Sequence, residues 1–238
     1  MLIKDMNWFQ VEDYLKHDDR VIMPMGSTEQ HAYLSLCTDF ILSSRIAEEA
    51  GTRMNIPVYP GLPFGMASYF TGFPGTVNIR PDTYGALITD ILDSLHESGF
   101  RRIFLVNGHG GNSPVQTFIG NWLNQHEDAR VVIHNWWASP EVMKRVRAIS
   151  SNASHASWME NFPWNRIPGI SMPQEEKPGI NPAKLGQLPA SAVRAYIGDG
   201  NYGGEYQRPD EEMMDIWSAG VEETCHLLEN VWVAPMHN

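Results

Sequence analysis

Three short apolar runs interrupt a chain that is otherwise patterned for helices. RVIMPMG ends at Gly26, RRIFLVNG ends at Gly108, and ARVVIHNWW begins at Ala129. Short apolar runs closed by turn residues fit strands buried on both faces. Between the first two, Pro81 to His96 places Leu87, Ile88, Ile91, Leu92 and Leu95 on one helical stripe. It opens with a proline and stops at Gly99, which predicts a helix. After the second run, Ser113, Pro114 and Gln116 offer an N-cap, a first-turn proline and a capping-box partner, predicting a helix to about Glu127. Strand, loop and helix in repetition predict an α/β fold with a parallel sheet covered on both faces and functional sites at the carboxyl ends of its strands. The Pro- and Gly-rich stretch Ile167 to Pro189 reads as a long ordered loop near the site rather than a linker. With no repeat or low-complexity tract, residues 1–238 read as one domain.

Charge and composition narrow the partners. A formal net charge of -11 disfavours nucleic acid and anionic membrane surfaces, which call for basic patches. Cys37 and Cys225 are too few for a disulfide framework or a cysteine-based zinc site, and fit a reducing cytoplasm. The opening MLIKDMNWFQVEDYL is broken by charges, and no stretch approaches the roughly 20 apolar residues of a membrane span. The expectation is a cytoplasmic protein with neither a nucleic-acid nor a membrane partner.

The loop after the first strand, GSTEQHAYLSLCTDF, carries Glu29, His31 and Asp39, a carboxylate and imidazole mixture suited to ions such as Zn²⁺ and Mn²⁺. Each has a plainer alternative: a solvated loop charge, a hydrogen-bonded loop histidine, a helix cap. They gain weight together because this loop and His109 both fall at predicted strand ends. His109 sits in VNGHGGNSPV, where Gly108, Gly110 and Gly111 supply positive φ or room for close approach, the alternative being a tight turn alone. Neither GxGxxG nor GxxxxGK[ST] is present, so phosphate cradling has no support. SNASHASWMENFP adds His155 and Glu160; a helix start there has to project His155 from its first turn and Glu160 from its second, the alternative being an exposed cap and a solvated glutamate.

Taken in order, MPMGSTEQH, TDF, GFPGTVNI, VNGHGGN, SHASWMEN and DGNYGGEY resemble the creatininase family of creatinine amidohydrolase-like metallohydrolases over most of the chain. The resemblance implies a three-layer α/β/α fold with a mostly parallel central sheet, a homo-oligomer that is often a hexamer, and two divalent ions per chain. It makes Glu29, Asp39 and His109 ligands of one ion, and His31, Asp39 and Glu160 ligands of the other, with Asp39 bridging. His155 becomes the proton-transfer residue, and Glu160 joins it in the catalytic set. The implied chemistry is hydrolysis of a carbon–nitrogen bond by a water shared between two ions roughly 3.5–4 Å apart, with an imidazole protonating the departing nitrogen. Zn, Mn or Fe would each suit such ligands.

The departures from the family bear on substrate. HAYLSLCTD is one residue shorter than the usual stretch, and Phe70 replaces a histidine of the family's FPGT motif, which implies a packing role there. Creatinine-cleaving members carry a tyrosine and a glutamate where Gly110 and Gly111 stand, and a tryptophan near Ser151. These losses point away from creatinine toward another small amide, lactam, formamide or peptide bond. Tyr33, Trp136, Trp137 and Trp158 are candidate pocket residues, with Tyr202 of similar rank; core or subunit contact is the alternative for the tryptophans. The acidic PDEEMMD run reads as the solvated start of a C-terminal helix. Three functions follow: an amidohydrolase acting on a small-molecule amide, a deformylase or peptide-trimming hydrolase, and a non-catalytic metal-binding scaffold. Retention of every implied ligand and of His155 disfavours the last.

Overall fold

A computed structural model describes residues 1–232. The chain opens with a short helix α1 (Trp8–Tyr14), closed at its start by a reciprocal Asn7 and Gln10 capping box. Strand β1 (Arg20–Met25) follows, then α2 (Thr38–Met54) and α3 (Pro81–Ser98). Next come β2 (Arg102–Asn107), α4 (Val115–Leu123), β3 (Arg130–Asn135) and α5 (Pro140–Ile149). Helices α6 (Ala190–Ile197) and α7 (Asp210–Asn230) complete the order.

The three strands are parallel in the order β1-β2-β3, and their register puts Met25, Asn107 and Asn135 side by side at one edge. Side-chain alternation divides the core in two. Val21, Met23, Met25, Ile103 and Leu105 pack with Tyr84, Ile88 and Leu92 of α3 and Ile119 and Trp122 of α4. Ile22, Phe104 and Val106 point the other way, toward Ile46 of α2, Val142 and Val146 of α5, and Ile216 and Trp217 of α7. The result is a parallel sheet covered on both faces, as the strand and helix pattern predicts, in the three-layer α/β/α arrangement that the resemblance implies. Pro24 sits inside β1 without cost to the sheet. Its missing N–H falls on the side facing residues 56–62, which run irregularly beside β1 through Ile22 N to Pro57 O and Leu62 N to Pro24 O, at 2.9 and 3.0 Å.

Gly99 ends α3 with φ of 112°, as its position predicts. The next helix departs from expectation. It begins at Val115, and the Ser113 hydroxyl, instead of capping it, donates back to Gly110 O at 2.6 Å. It ends at Leu123, short of Glu127, because the Trp122 carbonyl is taken by Gln125 N and the His126 imidazole. His126 also stacks on the Trp122 ring, 4.0 Å between centroids. The 167–189 segment is ordered against the 199–206 loop, with Ile180 N donating to Tyr202 O at 2.8 Å and Lys177 paired with Gly204. Among the described residues no helix is long and apolar enough to cross a membrane.

Candidate metal centre

The strand tips build the site. Gly26 follows β1 directly under the first turn of α2, and a side chain there would strike the Phe40 backbone. A side chain at Gly108 would strike the Asp39 carbonyl, and one at Gly111 the Met66 carbonyl and the His109 ring. None of the glycines at 108, 110 and 111 has a positive φ, so Gly108 and Gly111 serve close approach rather than a left-handed turn. Asp39, in the first turn of α2, is thereby lowered onto the end of β2, beside His109.

Glu29, His31, Asp39 and His109 are all buried. Asp39 divides its oxygens, with Oδ1 3.0 Å from His31 Nε2 and Oδ2 3.1 Å from His109 Nδ1. Glu29 Oε1 lies 3.3 Å from His109 Nδ1, and Glu160 Oε2 lies 3.7 Å from His31 Nε2. The histidine tautomers follow from their far nitrogens. His31 Nδ1 meets Glu29 O at 3.2 Å and His109 Nε2 meets Met66 O at 3.0 Å; as carbonyls only accept, these nitrogens carry the protons. His31 Nε2 and His109 Nδ1 are left to face carboxylate oxygens across a buried space, placed to ligate an ion once it displaces their protons. His31 Nε2, Glu29 Oε2 and Asp39 Oδ2 have no hydrogen-bond partner. Such a donor set fits divalent cations, and Glu29, Asp39 and His109 converge closely enough to hold one.

Without an ion the electrostatics show the same demand for positive charge. Burial works against the charged form of His31, but Asp39, Glu160 and Glu29 carry its pKa up to about 10. His109 is raised well above its usual value, burial being outweighed by Glu29 and Asp39. Asp39 is held below the ordinary carboxylate range, since His31 and His109 overcome its burial. Burial raises Glu29 and takes Glu160 up to about 7.

His155 stands above this group. Its Nδ1 is 4.0 Å from Glu29 Oε1 and 3.9 Å from Glu160 Oε2, and burial with the His31 charge holds it neutral. The expected helix start is absent: Ala156 takes φ of 58°, a 3-10 turn spans Trp158–Glu160, and Ala156 N donates to Glu160 Oε2 at 2.6 Å. That turn, not a shared helical face, brings His155 and Glu160 together. Two groups of Gln30 compete for His155 Nε2: the side-chain amide nitrogen at 2.9 Å and the backbone carbonyl at 3.2 Å. The amide is oriented by Ala32 N on its oxygen and Gly200 O on its nitrogen. When Nε2 accepts from the amide the imidazole proton sits on Nδ1; when Nε2 donates to the carbonyl, Nδ1 is free to take and return a proton. Glu29, His31 and His155 also converge closely enough to hold an ion, a grouping different from the His31, Asp39 and Glu160 set that the resemblance implies.

A cavity of about 330 Å³ opens over these residues, walled by Met66, Phe70, Trp137, Met143, Met159 and Tyr202. Trp137 lines it as expected. Three other pocket candidates do not: Trp136 and Trp158 are core side chains 2% and 0% exposed, and Tyr33 packs edge-on to Tyr206, 5.5 Å between ring centres. The core between α5 and α7 needs large apolar volumes, and Trp136 meets that need against Phe162 and Trp217. Sequence reasoning missed the asparagines flanking the glycines of NGHGGN. Asn107 donates to His109 O at 2.8 Å, and Asn112 donates to Gly26 O at 3.1 Å while accepting from Met66 N at 3.2 Å. Their signal was two polar residues at a strand tip with buried backbone to satisfy.

A family model described as creatininase, creatinine amidohydrolase, matches residues 4–228. The chain belongs to the creatininase family. Creatininase relatives include 3-dehydro-scyllo-inosose hydrolase of Thermotoga maritima, 27% identical over 56% of this chain and 43% of that protein. Creatinine amidohydrolase of Pseudomonas putida is 30% identical over 48% of this chain and 46% of its own. Mycofactocin precursor peptide peptidase of Mycolicibacterium smegmatis is 35% identical over 39% and 40%. The matches thus span less than half the length of these curated relatives. In three dimensions the chain matches a crystal structure of creatinine amidohydrolase with a TM-score of 0.76 at 21% identity, over 98% of both chains. It matches a manganese creatininase at 0.76 and 20%, over 98% of this chain and 99% of that one. The creatininase fold is therefore shared throughout.

Proposed function

We propose that this creatininase-family chain is a metal-dependent amidohydrolase that cleaves the carbon–nitrogen bond of a small amide, lactam or formamide. The observation that carries the proposal is the division of Asp39, one oxygen toward His31 and the other toward His109. Glu29, Asp39 and His109 hold one divalent ion; His31, Asp39 and Glu160 hold the second. Bound there, Zn, Mn or Fe supplies Lewis acidity and lowers the pKa of water at the site.

The chain's own residues supply the rest. His31 and His109 are locked in the ligating tautomer by Glu29 O and Met66 O, so little reorganises as charge develops. The largely apolar wall lowers the polarity around those groups and strengthens their interactions. With Nε2 donating to Gln30 O, His155 Nδ1 takes a proton beside Glu29 and Glu160 and hands it to the departing nitrogen. In balance, water oxygen bonds to the acyl carbon, the carbon–nitrogen bond breaks, and the nitrogen leaves with the water's proton. The similarity to a precursor peptide peptidase supports a second reading, trimming of a peptide, with the same centre. The homo-oligomer implied by the family and the single-domain organisation read from the chain's length and lack of repeats belong to this proposal, and mass in solution tests the former.

Metal content per chain, on protein purified without chelator, tests the reading. About two ions in the parent, a marked loss in Asp39→Asn, and retained ions with lost turnover in His155→Ala support it. A folded parent that holds no ion and refuses added Mn²⁺ or Zn²⁺ sinks it; loss of an ion in His155→Ala makes His155 a ligand instead.

A further inference from the structure

Resting on the hydrolase reading, the cavity says what kind of amide fits. Its charged side chains, Glu29, Asp39, His109 and Glu160, belong to the metal centre that forms its floor, with the neutral His155 above them. The walls carry methionine, phenylalanine, tryptophan, alanine and tyrosine side chains and one serine, and among the described residues no lysine or arginine borders the space. A substrate carboxylate or phosphate away from the scissile bond would be desolvated with no cationic partner. A substrate ammonium would meet only walls, the floor carboxylates being committed to the ions. Either burial is strongly unfavourable. A space of about 330 Å³ is also at the low end for ligand sites, too small to enclose several peptide residues.

Gly110 sets part of that space. A side chain built there meets nothing nearer than the Trp137 ring at 3.7 Å, in contrast to Gly108 and Gly111, where backbone blocks it. Its φ is not positive, so a larger residue is conformationally allowed and would project into the cavity beside Trp137.

We infer that the site takes small uncharged amides bearing an apolar group, and that Gly110 is a specificity-determining position that leaves room for that group. The apolar part lies against Met66, Phe70, Trp137 and Met143, while the carbonyl faces the floor.

The test uses a matched set of probes: hexanamide, its counterpart ending in a carboxylate (adipic acid monoamide) and its counterpart ending in an ammonium (6-aminohexanamide). Calorimetry on the ion-loaded protein should show hexanamide binding at least about tenfold tighter than either charged probe. Gly110→Leu should weaken hexanamide at least about tenfold with ion content unchanged. Equal binding, preference for a charged probe, no binding, or an unaffected Gly110→Leu variant overturns the assignment. Ammonia release is followed separately. Selective binding without ammonia release overturns the hydrolase reading and leaves the ligand class standing; equal release from all three does the reverse.

Discussion

The Phe70 ring lies face to face with the His155 imidazole, their centroids 4.9 Å apart and their planes within 10°. Phe70 is 4% exposed and belongs to a small apolar cluster with Leu185, Val193 and Ile197, so the fold below α6 holds the ring that holds the histidine. Phe70→Ala should destabilise the protein by about 3 kcal/mol. It should also lower kcat/KM by about 10- to 100-fold through a loosened His155. Ion content should not change, because no ligand carbonyl or carboxylate rests on Phe70. Denaturant unfolding, kinetics and elemental analysis on one preparation check this, and parallel loss of metal would show that Phe70 supports the ligands instead.

Asn112 acts one step further from the chemistry. It accepts from Met66 N, and the Met66 carbonyl fixes the His109 tautomer. Asn112→Ala should leave Met66 N and Gly26 O unpaired in the interior, at about 2–4 kcal/mol of stability. The released 66 segment should weaken metal binding by about 10- to 100-fold. Competition titration against a chelator measures the second effect; unchanged affinity in a destabilised protein would confine Asn112 to the fold.

Metal binding should release protons. In the metal-free protein the facing carboxylates carry the His31 pKa up to about 10 and hold that of His109 well above its usual value, so both are imidazolium at pH 7 and an ion must displace a proton from each. Affinity should therefore rise with pH, and adding Zn²⁺ at pH 7 to weakly buffered protein should acidify it. The linked stability has a definite sign. A raised histidine pKa stabilises the metal-free fold fully below about 6.5 and the benefit fades as pH rises through about 10. Glu160, raised to about 7, likewise favours the metal-free fold only when protonated. The gap in Tm between loaded and chelated protein should widen from pH 6 to pH 9. A constant gap contradicts the assigned charge states.

Much of this arrangement is legible in the chain, and the limits are physical. The apolar runs around Ile22 and Phe104 are buried on both faces, which is why they read as strands of a covered parallel sheet. Gly99 was readable because a left-handed helix end nearly demands glycine. Glu29, His31, Asp39 and His109 were readable as a group because strand ends gather them, whereas the contact of His155 with Glu160 depends on Ala156 at positive φ, which no local pattern announces. Trp136 and Trp137 are neighbours in sequence with opposite fates: one turns into the core, the other lines the cavity. A 3-10 turn at Trp136–Ala138 decides which, and periodicity cannot resolve a turn that short. The early end of α4 at Leu123 rests on the His126 side chain taking a main-chain acceptor, a tertiary choice rather than a propensity.

A histidine outside the centre should shape the acid limb of stability. His134, in β3, is 6% exposed and meets Thr224 Oγ1 at 3.1 Å, and Thr224 in turn donates to Gly220 O at 2.7 Å. Burial lowers the His134 pKa to about 4, while the unfolded chain protonates near the ordinary value of about 6.5. Stability from neutral His134 is thus fully present above about 6.5 and is lost as pH falls toward 4, by about 3 kcal/mol in all. His134→Leu removes the titrating group and keeps the Thr224 to Gly220 bond, so it should lose less stability than the parent between pH 7 and pH 4.5. Urea unfolding of both proteins at the two pH values, each with chelator so that ion loss does not contribute, gives the difference. Equal losses in parent and variant would mean that the acid limb is set by the carboxylates of the metal centre and not by the strand beneath it.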